Sequence, residues 1–305
     1  MTVHGEAVAV PTATRAEAVE ALTRFTTAYN KAGRAHEAAF DKDVVTGAYG
    51  EMTKVRHQLA RQRQPQGNPR FKDLQLTDPE FFIPRAKGWP RWFVADTDSN
   101  RDKDTVKSDS RWVFLFLKES AKQPWRAAHL AVLGLRQVPV FQLDADGYAE
   151  PVRSGTTGLT VPPGELSQHY TAYLQRGEPA EFASGSHTSK LRAARKRSAS
   201  KRKGTSVAFT DEPLNTAAFT PLGLRTAKGG AFVFFAARST ETTKGPAGAK
   251  VPTSGETRQF LGSPAGSVLA RTWISTQAAV VPAQGSSAKV RVISRHLQLT
   301  GATSR

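Results

Sequence analysis

The sequence predicts an α+β protein built from two successive units, in each of which helices come first and antiparallel strands follow. Three observations carry that expectation. Arg91–Leu135 contains three runs dense in Trp, Phe, Val and Leu, separated by Asp, Asn, Ser, Lys and Pro, which is the pattern of consecutive antiparallel strands. Upstream of it, residues 15–64 carry helical rather than strand periodicity. After residue 137 the same order starts again, which marks an internal repeat.

Taken in order, Thr14 reads as a helix N-cap, because Glu17 stands three residues on as in a capping box. Ala18, Leu22, Phe25 and Tyr29 then recur at helical spacing, so Arg15–Lys31 is one amphipathic helix. Ala32–Val45 reads as a shorter second helix and Glu51–Gln64 as a third, closed by Pro65 and Gly67. Phe71–Pro84 reads as a strand region broken by a turn at Asp78-Pro79. In Arg111–Lys118 the alternation sets Trp112, Phe114 and Phe116 against Val113, Leu115 and Leu117, two apolar faces that both require cover.

The second unit opens after a hairpin turning at Asp146-Gly147. Pro163–Arg176 reads as a helix in which Thr171-Ala172-Tyr173 repeats Thr27-Ala28-Tyr29 of the first. A basic segment follows, then strands over Ala218–Thr226, Ala231–Ser239, Ser267–Val281 and Ala288–Thr300, with Lys228-Gly229-Gly230 as the clearest turn. Asp96–Ser110 and Thr240–Gln259 lack apolar residues, and the latter reads as a mobile loop.

Composition narrows the function classes. With 43 Lys and Arg against 26 Asp and Glu, the net charge of +17 favours contact with polyanions: nucleic acid, anionic lipid or acidic wall polymer. No cysteine is present, so disulfides, thiolate metal sites and cysteine nucleophiles are excluded. No run approaches the length of a spanning helix, and read from Met1 the chain predicts a soluble cytoplasmic protein.

The strongest local signal is the basic run Lys190, Arg192, Arg195, Lys196, Arg197, Lys201, Arg202 and Lys203, able to neutralise several phosphates. A solvated helix face is the bland alternative. No recognition helix, zinc finger or aromatic nucleic-acid platform accompanies it. Tyr29, Trp92, Trp112, Trp125 and His129 are candidates to line a pocket between helix and sheet. Trp125 and His129, four apart in one strand, are expected on the same face. A histidine there is an acid–base candidate, weighed against a core histidine held by one hydrogen bond.

Asp144, Asp146 and Glu150 lack the ligand spacing of a calcium loop, so a hairpin turn is the better reading. Ser186-His187 has no nucleophile elbow. The remaining histidines are scattered. Neither a metal nor another cofactor is expected, and no catalytic residue stands out.

Several motifs carry a resemblance. Leu22, Phe25, Tyr29, Asn30 and Ala32 fit an "LxxFxxxYNxAN" helix, Val45-Thr46-Gly47-Ala48 a "VETGA" segment, and Trp89-Pro90-Arg91-Trp92-Phe93 a "YPxWFxV" strand. Together they resemble a family of actinobacterial surface proteins of unknown function, from about residue 15 to 300. Gly33 stands where that family has Asn, and read from Met1 the chain is expected to depart from the family in its anchor.

The resemblance implies an extracytoplasmic protein with domains similar to the cystatin-like α+β roll of the nuclear-transport-factor-2 (NTF2-like) superfamily. The expected plan is a flexible N-terminus over 1–14, a first roll over 15–136, and a second over 137–300. The second includes the basic segment 190–203 and the mobile loop 240–259. The expected role is a non-enzymatic binding or scaffolding module at the cell envelope, meeting an anionic polymer or another envelope protein. A ligand-binding or enzymatic pocket in one roll and cytoplasmic nucleic-acid binding are the alternatives.

Overall fold

The strand Arg111–Lys118 is buried on both faces, and what covers each face sets the architecture. The computed structural model describes residues 8–103, 105, 109–200, 204–253 and 255–305. The first half runs β1 (Val10–Pro11), α1 (Arg15–Ala35), α2 (Gly47–Arg63), β2 (Leu76–Phe82), β3 (Arg85–Ala86), β4 (Arg91–Ser99), β5 (Ser110–Lys118) and β6 (Arg126–Gly134). The second runs β7 (Pro151–Val152), α3 (Leu166–Arg176), α4 (Ser189–Ser200), β8 (Ser206–Leu214), β9 (Leu222–Arg225), β10 (Ala231–Lys244), α5 (Gly255–Leu261), β11 (Val268–Val281) and β12 (Arg291–Ser304).

Apart from β1 and β3, which pair with each other, the strands form two antiparallel sheets. One has the order β2-β4-β5-β6; the other has β12-β11-β10-β9-β7, with β8 also pairing β10. Neither closes into a barrel. Helices and antiparallel sheets are thus both present: α1 and α2 precede β2–β6, α3 and α4 precede β8–β10, and α5 lies between β10 and β11.

The two sheets face each other. Trp92, Val94, Val113, Leu115 and Leu117 of the first pack against Leu222, Leu224, Phe232, Phe234 and Ala278 of the second in one shared core. Helices cover the opposite faces. On the first sheet α1 and α2 bring Leu22, Phe25 and Tyr49 onto Phe93, Phe114 and Phe116. On the second, α3 brings Leu166, Tyr170 and Leu174 onto Val233, Phe235 and Ala279. Burying each such phenylalanine stabilises the fold by about 1.5–3 kcal/mol before chain entropy.

Helix α2 belongs to both halves. Its Tyr49 faces the first core, while Ala48 and Met52 lie on Ala236 and Ile274 of the second sheet, beyond the area the first sheet covers. The capping box at Thr14 and Glu17 forms, with Thr14 N–H donating to the Glu17 carboxylate at 2.7 Å and Glu17 N–H to the Thr14 hydroxyl at 3.1 Å.

Several elements differ from expectation. Ala32 and Gly33 continue α1 instead of opening a second helix, and α1 ends where His36 turns to φ 53°. Only a 3₁₀ turn, Ala38–Phe40, follows before α2 begins at Gly47. Asp78-Pro79 does not break its strand. It is a bulge in the pairing of β2 with β4, with Asp78 at φ 47°.

Half of the segment expected as the mobile loop 240–259 is regular structure. β10 runs on to Lys244, paired with β8 and β11, because Thr240, Thr242 and Thr243 are β-branched and favour strand. Gly255–Leu261 then forms α5. The strand β8 has no counterpart in the sequence reading.

Candidate functional site

The five residues expected to line one pocket are divided by the sheet. Trp92 and His129 point into the core between the sheets, whereas Tyr29, Trp112 and Trp125 belong to the helix-covered side. For Trp125 and His129 the reason is a bulge. Phe116 pairs with Ala127 but Leu115 pairs with His129, so the extra residue Ala128 inverts the alternation of β6. Trp125 and Ala127 therefore face α1, and His129 and Ala131 face the second sheet.

Of the five, Trp125 borders a cleft of about 180 Å³ with Glu17, Arg24 and Lys118, and elsewhere packed rings fill the space where they were expected to converge. On the helix side, Phe25 lies 5.0 Å from Phe114, and Phe93 lies 4.9 Å from Trp125, ring centre to ring centre. Tyr29 and Trp112 pack against this cluster at 5.9 and 6.0 Å from Phe25 and Phe114. Between the sheets, the Trp92 indole donates to the Gly223 carbonyl at 3.1 Å. His129 Nδ1 lies 2.5 Å from Thr276 Oγ1, and burial pushes its pKa down to about 3, so the ring is neutral. It is a polar tie between sheets, not an acid–base group open to substrate.

The basic segment is a helix, α4, held against α3 and β8. Lys190 and Lys196 are exposed. Arg192 lies over the Tyr173 ring at 5.2 Å. Arg195 differs. It is buried and makes a bidentate pair with Asp211 at 2.7 and 2.9 Å, and its Nη2 donates to Ser239 Oγ at 3.2 Å. That guanidinium clamps the helix to β8 and β10 and is committed. Lys201, Arg202 and Lys203 lie outside the described residues.

Arg192, Arg195 and Lys196 nevertheless converge. With Gln175 and Thr210, they line a groove of about 340 Å³ whose floor is Leu174 and Phe209. Beneath α4, the Tyr170 hydroxyl donates to the His187 carbonyl at 2.7 Å, and burial pushes its pKa up to about 12. Arg295 is pushed below its ordinary pKa, first by burial, and its Nε has no hydrogen-bond partner among the described residues. The electrostatics of this region are cationic.

A larger cleft, of about 570 Å³, opens where the two halves meet. From the first half Asp41, Lys42, Val45, Gly47, Glu51 and Lys54 are among its lining residues, and Ala218 and Phe219 line it from the second. The Val45-Thr46-Gly47 stretch of the motif named above forms part of it. Gly47 sits at φ +55° with Ala218 O only 2.5 Å from where a Cβ would stand, so no other residue fits the seam there. Asp41, 1% exposed, accepts from His57 Nε2 at 2.9 Å beside this cleft. Neither residue was singled out in sequence. The only signal was the glycine-containing motif next to them, because a carboxylate and a histidine sixteen apart are paired by the fold alone.

Asp144 and Asp146 form the expected turn and pair with Arg85 at 2.9 and 2.8 Å. Elsewhere Asp98, Asp102 and Asp109 each bring a carboxylate oxygen within 4.8 Å of the others, near enough to share a cation. No helix among the described residues is long and apolar enough to cross a membrane.

Residues 9–304 match the family model described as a domain of unknown function (DUF8094). The chain is 42% identical over 301 residues to an uncharacterised lipoprotein of Streptomyces coelicolor, covering 98% of this chain and 88% of the relative. It is 41% identical over 303 residues to an uncharacterised lipoprotein of Streptomyces avermitilis, covering 98% and 89%. A second Streptomyces coelicolor lipoprotein is 24% identical over 304 residues, covering 92% and 80%. No solved structure matches.

Proposed function

The chain belongs to the DUF8094 family, and we propose that it is a non-enzymatic binding module at the actinobacterial cell envelope that holds an anionic polymer along α4. The observation that carries this reading is the groove beside α4. Arg192, Arg195 and Lys196 share it, Lys190 and Lys196 are exposed, and the buried Asp211 is matched to Arg195 alone among them. A cationic groove with an apolar floor suits a flexible polymer of phosphate or carboxylate groups and gives no base-edge readout. The envelope location is supported by relatives named as lipoproteins.

We also read the two halves, 15–136 and 137–300, as copies of a cystatin-like, NTF2-like roll. Supporting this, Leu22 and Tyr29 in α1 and Leu166 and Tyr173 in α3 have equal spacing, and all four pack onto their own sheet.

The test replaces Lys190, Arg192, Lys196, Arg197, Lys201, Arg202 and Lys203 by Gln and keeps Arg195. Binding to an immobilised glycerol-phosphate polymer should fall at least about tenfold, and its dependence on salt should flatten. Unchanged binding would remove α4 from the reading. A preference for DNA or RNA over the wall-type polymer would move the protein to the nucleic-acid class. Location is tested by protease shaving of intact cells beside a cytoplasmic control: cleavage is expected, and protection until lysis, with wall removed, would contradict it.

A further inference from the structure

The cleft at the seam carries recognition chemistry that the basic helix does not use. Its walls are Ala38, Val45, Ala218 and Phe219, and its volume of about 570 Å³ suits a small molecule with an apolar body. Asp41 lines it although the residue is 1% exposed. One of its carboxylate oxygens meets His57. Among the described residues no hydrogen bond reaches the other. That oxygen has an open acceptor site, which a ligand N–H or O–H can take.

The opposite polarity lies in the same cleft. Lys42 and Lys54 line it, both exposed and in no ion pair among the described residues. The first turn of α2 lines the same cleft through Gly47 and Gly50, and the Thr46 side chain does not cap it. Glu51 stands at the rim as a second acceptor. The cleft thus offers acceptors, donors and an apolar wall within one small volume.

We propose that this cleft binds a small apolar zwitterion, an amino acid or short peptide. Its ammonium meets Asp41 and Glu51, its carboxylate meets Lys42 and Lys54, and its side chain lies against Val45, Ala218 and Phe219. Because residues of both halves line the cleft, such a ligand also bridges them.

Calorimetry on the full chain tests this with L-leucine, L-leucyl-L-leucine, N-acetyl-L-leucine and L-leucinamide. At least one zwitterion should bind saturably, and the N-acetyl and amide forms, each lacking one charge, should bind at least about tenfold more weakly. Leucine alone would mark a free amino acid as the source, and the dipeptide alone a peptide. Ala39→Trp, at an exposed position of the lining, should abolish binding without changing the melting temperature. Asp41→Asn should erase the preference for leucine over its N-acetyl form, and Lys54→Gln should weaken binding with the fold intact. The α4 glutamine variant should bind the zwitterion as the parent does, which separates this site from polymer binding. Absence of saturable binding by both zwitterions, equal binding of N-acetyl-leucine, or unchanged binding by Ala39→Trp would each overturn the proposal.

Discussion

Under α1 the first sheet presents Phe93, Phe114 and Phe116, and the helix answers with Phe25; the rings fill the space between them. Under α4 the second sheet presents Asp211 and Ser239, register partners on β8 and β10, and the helix answers with Arg195. One helix is fixed to its sheet by apolar burial, the other by a desolvated ion pair. The apolar solution is indifferent to charge around it. The ionic one places an arginine, and the cations beside it on the same helix, against the sheet in a set orientation. The difference teaches where to look for function: the filled core has no room for a ligand, whereas the ionic clamp leaves a groove.

The sharpest way to break this contrast is to remove one partner on each side. Phe114→Ala should cost about 3–5 kcal/mol in urea unfolding, through lost burial and the cavity left behind. Asp211→Ala should cost a similar amount, about 3–5 kcal/mol, because Arg195 is then buried without a counter-charge. The double change Arg195→Met with Asp211→Leu should recover most of that loss. Were Asp211→Ala to cost less than about 1 kcal/mol, α4 would not be ionically clamped, and the contrast would fail.

The polar tie between the sheets gives a pH-dependent effect, small near neutral pH. His129 titrates near 3 in the fold and near its ordinary 6.5 when unfolded. Between those values the unfolded chain takes up a proton that the folded chain refuses, so stability falls as pH drops from 6.5 toward 3. The slope from this group is at most about 1.4 kcal/mol per pH unit. His129→Gln should flatten the stability profile in that window, and an unaltered profile would mean that His129 is not the group responsible.

The smallest effect is expected on α4's exposed side. The seven-glutamine variant should unfold within about 1 kcal/mol of the parent, since Lys190 and Lys196 are exposed and Arg192 loses a single cation–π contact with Tyr173. A larger cost would make the basic face a structural element and weaken its case as a binding surface.

Much of this fold is legible in sequence because it follows from local pattern. The Thr14–Glu17 capping box and the two apolar faces of β5 are written within a few residues. What escapes is set by single-residue irregularities and by distant partners. One extra residue, Ala128, turns His129 away from Trp125, and nothing in the alternation announces it. Strand β8 hides because Asp211 and Glu212 interrupt its apolar pattern, and Asp211 is the partner that takes Arg195 out of the candidate polyanion set. The basic run was visible as charge. Which of its members are committed inward was not.

The shared core between the sheets bears on how the chain is made. Synthesis proceeds from the N-terminus, so β4, β5 and β6 are complete while β10 and β11 are still to be translated. At about 5–20 residues per second, the interval from the end of β6 to the end of the chain is on the order of 10–30 s. During that time Trp92, Val94, Leu115 and Leu117 have no sheet to lie against. The nascent first half is therefore a natural client for a chaperone that shields apolar surface, and a chain stalled or truncated near residue 137 should aggregate instead of persisting as a free-standing piece.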